Sequence, residues 1–192
     1  VQQEVVAPAP TRGEGERFRL PVNPKKAQPV TTLTAPDALA PARPTITADD
    51  LVRAGECIEH VASYSREEIA RFAMLTLDVN PLHHDREAAI RAGQRDVIAS
   101  GQHTSALMSG LAASYFSREG DGIPRSMLCL NFNFAYREPI FADAQVTLSW
   151  RVASTEWNSK LDGVIAQLEG QALVDDAPSV IARGTVLVRH AS

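Results

Sequence analysis

Met127-Leu128-Cys129-Leu130-Asn131-Phe132-Asn133-Phe134-Ala135-Tyr136 is the stretch that decides the architecture. Leu128, Leu130, Phe132, Phe134 and Tyr136 alternate with Met127, Cys129, Asn131, Asn133 and Ala135, and a strict period of two predicts a strand with one wholly apolar face. Three more extended segments follow, about residues 145–155, 164–174 and 180–189. Turn signals at Asn158-Ser159 and Asp175-Asp176-Ala177-Pro178 separate them, so the four strands read as an antiparallel meander.

Immediately upstream, residues 101–118 read as a long buried helix. Ala106, Leu107, Gly110, Leu111, Ser114 and Tyr115 are its predicted packing face, small enough to let a sheet approach closely. Ser100 or Gly101 starts this helix, where unpaired N–H groups and the helix dipole favour a negative oxygen. Further back, residues 56–64 are rich in β-branched and aromatic residues and predict a first strand, after a short turn capped by Thr47 and closed at Gly55. Ser65 and Glu68 form a capping box, and Tyr64 with Ile69 a hydrophobic staple, so a helix runs over residues 66–75 with Ile69, Phe72, Ala73 and Thr76 on one face. Asp85 caps a further short helix through Ala88, Ala89 and Ile90, ended by Gly93. A strand, helices, a long helix and then four strands make an α+β pattern in which a sheet wraps one central helix.

At 192 residues and 44% apolar content, one core is the natural solution. Eight of the twelve prolines fall before residue 45 (Pro8, Pro10, Pro21, Pro24, Pro29, Pro36, Pro41 and Pro44), in a stretch without apolar periodicity. Burial there cannot repay ordering entropy, so residues 1–44 read as an extended or flexible arm and 45–192 as the folded domain. Leu20, Val22, Val30 and Leu33 are its candidate anchors. A net charge of −4 without basic clusters argues against a nucleic-acid partner. No apolar run reaches the ~18 residues of a spanning helix, so no membrane partner is expected. Cys57 and Cys129 have no metal or redox spacing and read as reduced, buried thiols; with no secretory pattern at the start, the expected location is cytoplasmic.

Between the second helix and the long one lies Asp78-Val79-Asn80-Pro81-Leu82-His83-His84-Asp85, followed by Ile98-Ala99-Ser100-Gly101-Gln102-His103-Thr104. Proline cannot continue a helix and biases Asn80 toward extended backbone, so Asp78 and His83 are carried on a bend. The bend can turn carboxylate and imidazole into one volume, where they could hold and deprotonate a water. Asn80 reads first as a turn-former and second as a substrate contact. His84 reads as solvated, and His103 as a helix-start histidine beside the pocket. Adjacent residues rarely aim at one ion, so His83, His84, Asp85 and His103 are not read as a metal site, and no cofactor is expected.

Phe72-Ala73 to Asp78-Val79-Asn80-Pro81-Leu82-His83, then Ile98-Ala99-Ser100-Gly101, Phe132-Asn133-Phe134 and Pro139-Ile140-Phe141-Ala142-Asp143 together resemble the MaoC-like dehydratases, the (R)-specific enoyl-CoA hydratases of hot-dog fold. The resemblance covers roughly residues 45–190. It implies a long helix wrapped by an antiparallel sheet, a homodimer or higher homo-oligomer, and addition of water to a trans-2-enoyl-CoA or related acyl thioester of fatty acid metabolism. It makes Asp78 and His83 the catalytic pair and the Gly101 N–H the donor to the thioester oxygen. Ser100 stands where many members have His, which leaves the backbone role of Gly101 intact and bears on substrate preference. A hot-dog thioesterase and a non-catalytic module that binds an acyl thioester are the alternatives.

Overall fold

The computed structural model describes residues 47–191, which fall within one unit, Arg43–Ser192. The Pro-rich stretch and its four candidate anchors lie outside the described residues. The element order is α1 (Ala48–Leu51), β1 (Cys57–Ser63), α2 (Arg66–Leu75), a 3-10 turn (Pro81–His83), α3 (Arg86–Arg91), α4 (Gly101–Phe116), β2 (Arg125–Tyr136), β3 (Gln145–Asn158), β4 (Gly163–Val174) and β5 (Ala177–His190). The five strands form one antiparallel sheet in the order β1-β3-β4-β5-β2. α4 packs along its inner face, giving the α+β arrangement expected from the sequence.

Local chemistry sets the element ends. Glu68 N–H donates to Ser65 Oγ at 3.2 Å while Ser65 N–H donates to Glu68 Oε2 at 2.9 Å, closing the capping box of α2. Tyr64 and Ile69, the predicted staple, are both buried. Asp85 Oδ1 accepts from Ala88 N–H at 3.0 Å, and Gly93 follows α3 at φ +85°, a left-handed conformation suited to glycine. Asp175 and Asp176 both take positive φ, the two-residue turn that matches the twist of the β4–β5 hairpin.

The core lies between α4 and the curled sheet. Thr104, Met108, Ala112 and Phe116 recur every fourth residue as the fully buried stripe of α4. The Trp150 indole N–H donates to the Met108 carbonyl at 2.8 Å and ties sheet to helix. Glycines make room for rings here: a Cβ on Gly170 would collide with the Trp150 ring, and one on Gly184 with the Phe132 ring. Phe132 in turn stacks on Trp150 at a centroid distance of 5.2 Å.

Several expectations are corrected. The meander holds only for β3-β4-β5, because β2 crosses to pair with β5; the connection after Tyr136 is hydrogen-bonded instead to the segment that leads into α4. The alternation in β2 is not strict in space, since the pairing shifts between Cys129 and Asn131. A bulge at this point puts Met127 on the same side as Phe132 and Phe134, packed on the core, and leaves Leu128 and Leu130 outside it. On α4 the predicted face is rotated: Leu111 and Tyr115 are half-buried, while Ala106, Leu107, Gly110 and Ser114 are exposed. A helix apolar on nearly every side cannot announce which face the sheet will take. Finally, Cys57 and Cys129 are free but exposed, both on edge strands flanked by a single neighbour.

Candidate active site

α2 ends in a Schellman-type turn that aims the chain into the bend. Asp78 N–H donates to the Ala73 carbonyl at 2.8 Å across Leu77, whose φ is +58°. Leucine lacks glycine's freedom in this conformation, and its side chain is 86% exposed, so no packing is gained in return. Leu77→Gly is therefore expected to raise stability by about 0.5 kcal/mol, the left-handed penalty less the extra freedom of an unfolded glycine. Chemical denaturation of the two proteins checks this.

Beyond Leu77, side chains replace helix hydrogen bonds. Asp78 Oδ1 accepts from Asn80 N–H at 3.1 Å, and Asn80 Oδ1 accepts from Leu82 N–H at 3.2 Å. Pro81 then starts the 3-10 turn without wasting a donor, and His83 arrives buried at its end. His83 Nδ1 lies 2.7 Å from the Ile98 carbonyl. A carbonyl only accepts, so Nδ1 carries the proton, and Nε2 of the neutral ring presents a lone pair. Nε2 faces Asp78 Oδ2 at 3.4 Å. The bend thus sets two proton acceptors side by side.

The same carbonyl-bearing segment also delivers the long helix. Ile98 N–H donates to the Leu82 carbonyl at 3.1 Å, while Ala99 N–H donates to the Ile140 carbonyl at 2.8 Å and Ala142 N–H to the Val97 carbonyl at 3.2 Å. Residues 97–99 are thereby pinned between the bend and the connection after β2. Arg66, at the start of α2, clamps this assembly through Asp96, and it also meets Asp143 at 3.3 Å. Chiefly that hydrogen bond from Arg66 holds the Asp96 carboxyl down at about 2. Ser100, buried, spends its side chain on the cap, accepting from His103 N–H at 3.3 Å, and Gly101 opens α4 with an N–H that no intrahelical carbonyl can take.

His83, Ser100 and Gly101 line one cavity of about 370 Å³, together with Ala99, Thr104 and Tyr136. Asp78 does not itself line the cavity; its carboxylate contacts His83, which does. Asn80 does not line the cavity: it is exposed, and its side chain is committed to the turn. His103 is placed away from it as well, stacked between Phe72 and Tyr64 at 4.4 and 4.6 Å, where burial lowers its pKa. Two residues past Gly101 on a helix is nearly the opposite face, which is why a sequence neighbour is not a site neighbour. His84 is exposed. Among the described residues, no three His, Cys, Asp or Glu side chains converge as a metal site would require.

Tyr136 was not singled out by sequence reasoning, which absorbed it into the alternation of β2. Its ring covers Gly101 so closely that a Cβ there would lie 2.7 Å from the ring carbons. The Ile98 carbonyl was invisible too, since a main-chain acceptor has no side-chain signature.

Among curated proteins, the chain is 22% identical over 140 residues to a mitochondrial 3-hydroxyacyl-(acyl-carrier-protein) dehydratase of Solanum lycopersicum, covering 73% of this chain and 83% of that one. A mitochondrial dehydratase of the same description from Arabidopsis thaliana is 26% identical over 72 residues, 38% of this chain and 43% of that protein. Among solved structures, the (R)-hydratase from A. caviae superposes with a TM-score of 0.61 at 24% identity, over 70% of this chain and 96% of that one. The R-hydratase PhaJ1 from Pseudomonas aeruginosa gives 0.61 at 18% identity, over 73% and 84%. These are likenesses of fold. The MaoC like domain matches residues 34–169, a span that takes in the Asp78 bend, the start of α4 and the sheet as far as β4, and the chain belongs to this family of hot-dog proteins.

Proposed function

We propose that this protein catalyses the reversible hydration of a trans-2-enoyl thioester to the (R)-3-hydroxyacyl thioester, as a hydro-lyase. The observation that carries this reading is the pairing of His83 Nε2 with Asp78 Oδ2 at 3.4 Å, beside a cavity that His83 shares with the Gly101 N–H. Two acceptors side by side can hold one water, which has two protons to offer. In hydration, its oxygen bonds to the β-carbon as the pair removes a proton, and a proton is delivered to the α-carbon. Negative charge meanwhile gathers on the thioester oxygen, where the Gly101 N–H and the α4 dipole stabilise it. Dehydration is the same path reversed, and because the pair is coupled it acts as one acid–base unit.

The test is a trans-2-enoyl-CoA assay followed by absorbance, with free thiol titrated in parallel and the product resolved on a chiral column. Loss of enoyl absorbance without thiol, giving the (R) product, is the expected result. Thiol release would mean a thioesterase, and binding without turnover a non-catalytic module. Running enoyl-CoA against enoyl-acyl-carrier-protein distinguishes the carriers, since the plant relatives are named for the latter. A cytoplasmic location is part of this proposal, and fractionation checks it against the mitochondrial location in those relatives' names. Among the described residues, no helix is long and apolar enough to cross a membrane.

We also assign a homodimer. β2 is an edge strand carrying exposed Leu128 and Leu130, and an apolar edge is a liability that pairing with a second copy removes. Light scattering at micromolar concentration is expected to give twice the chain mass; a monomer with full activity would sink this.

A further inference from the structure

The neutral His83 ring has one N–H proton and two acceptors competing for it. The Ile98 carbonyl takes it from Nδ1 at 2.7 Å, while Asp78 Oδ2 lies 3.4 Å from Nε2. At equal distance a carboxylate is the stronger acceptor, so the carbonyl keeps the proton only while it is held close. If it drew back, the proton would move to Nε2 and donate to Asp78. The lone pair of the ring would then face Ile98, and the two acceptors of the bend would satisfy each other instead of a water.

The placement of Ile98 therefore governs the pair, and one carboxylate stands at its upstream end. Val97 N–H donates to Asp96 Oδ1 at 2.8 Å, and neither Arg95 nor Asp96 makes a main-chain hydrogen bond among the described residues. Charge anchors the segment there. Arg66 donates from Nε to Asp96 Oδ1 at 3.2 Å and from Nη2 to Oδ2, and Arg86 Nε lies 3.6 Å from Oδ1. These arginines are the first residues of α2 and α3. A cation at a helix N-terminus opposes the dipole, and Glu67, Glu68 and Glu87 already supply the favourable charge, so neither arginine serves its own helix. They converge on Asp96 instead. α2 delivers Asp78 from its far end, α3 begins just after His83, and Asp96 lies just ahead of Ile98. Resting on the hydration reading above, we infer that Asp96 is a positioning residue: paired with Arg66 and Arg86, it holds the Ile98 carbonyl against His83, keeping the ring proton on Nδ1 and the lone pair of Nε2 toward Asp78.

Asp96→Asn keeps the shape and an oxygen for Val97 N–H, and removes the charge that draws in both arginines. Histidine 15N NMR at about pH 8, where an ordinary imidazole is neutral, reads the tautomer directly, with the His83 signal assigned by its loss in His83→Ala. Wild type is expected to be protonated at Nδ1, and Asp96→Asn to shift toward Nε2–H. Enoyl-thioester hydration by the variant should fall about 10- to 100-fold in kcat with KM within about 2-fold, the scale of a small misplacement of a reacting group. Arg66→Lys keeps the charge without the planar fork and should fall between the two in both readouts; it decides alone if Asp96→Asn does not fold. A wild-type ring protonated at Nε2, a tautomer that neither variant moves, or a shifted tautomer with unchanged kcat overturns the inference. A wild type that hydrates nothing, while Asp96→Asn still moves the His83 proton, would sink the hydration reading and keep this one.

Discussion

Asp78→Asn and His83→Ala are each expected to lower hydration turnover by about 100-fold or more, at the low end of general acid–base contributions. The asparagine keeps an oxygen to accept from Asn80 N–H, so the turn survives and only the basic carboxylate is lost. Removing the imidazole also strips the Ile98 carbonyl of its donor, for a stability cost of about 1 kcal/mol, so rates are to be compared at a temperature where both proteins are folded. On the proposed mechanism the two groups act on one water, so the double variant should be little slower than either single. His84→Ala is the internal control: its ring is exposed, with only a 3.4 Å approach to the Val79 carbonyl, and turnover should stay within a few-fold of wild type. Hydration that survives both single changes in folded protein, or a larger loss at His84 than at His83, would remove the bend from the mechanism.

Arg125→Met is expected to cost about 3 kcal/mol of folding stability, the loss that follows breaking a buried, hydrogen-bonded charge. Arg125 is only 5% exposed at the start of β2. Its Nε donates to the Leu51 carbonyl at 2.8 Å and its Nη2 to the Asp50 carbonyl at 2.7 Å, closing the C-terminal end of α1. Nη1 donates to Asp121 Oδ1 at 2.7 Å and to the Ile123 carbonyl at 3.2 Å. That contact with Asp121 holds its carboxyl down at about 2. Methionine fills the same stem volume and satisfies none of these acceptors. Lysine at this position keeps the charge but lacks the planar fork, and should fall between the two. Urea denaturation measures all three; a methionine variant within 1 kcal/mol of wild type would show that the carbonyls rehydrate freely.

The helix ends were legible because they depend on residues a few positions apart. Ser65 with Glu68 and Asp85 with Ala88 close hydrogen bonds within one turn, and the structure places α2 at Arg66–Leu75 as the capping box requires. The strands were legible for a similar reason: alternation and turn residues are local properties. The bend was legible as well, since Asn80-Pro81 forbids a helix wherever it occurs.

What the sequence by itself determined, then, is the order and type of the elements and the candidate pair on either side of Asn80-Pro81. Only the tertiary structure decided which face of α4 is buried, that β2 crosses to β5, and that a bulge turns Met127 inward and Leu128 outward. It alone joined His83 to the Ile98 carbonyl and Gly101 to Tyr136, and it set His103 and Asn80 outside the cavity. These outcomes depend on contacts between residues distant along the chain. Their energies come from how a curled sheet closes on a helix that is apolar almost all round, and a one-dimensional pattern carries no record of that curvature.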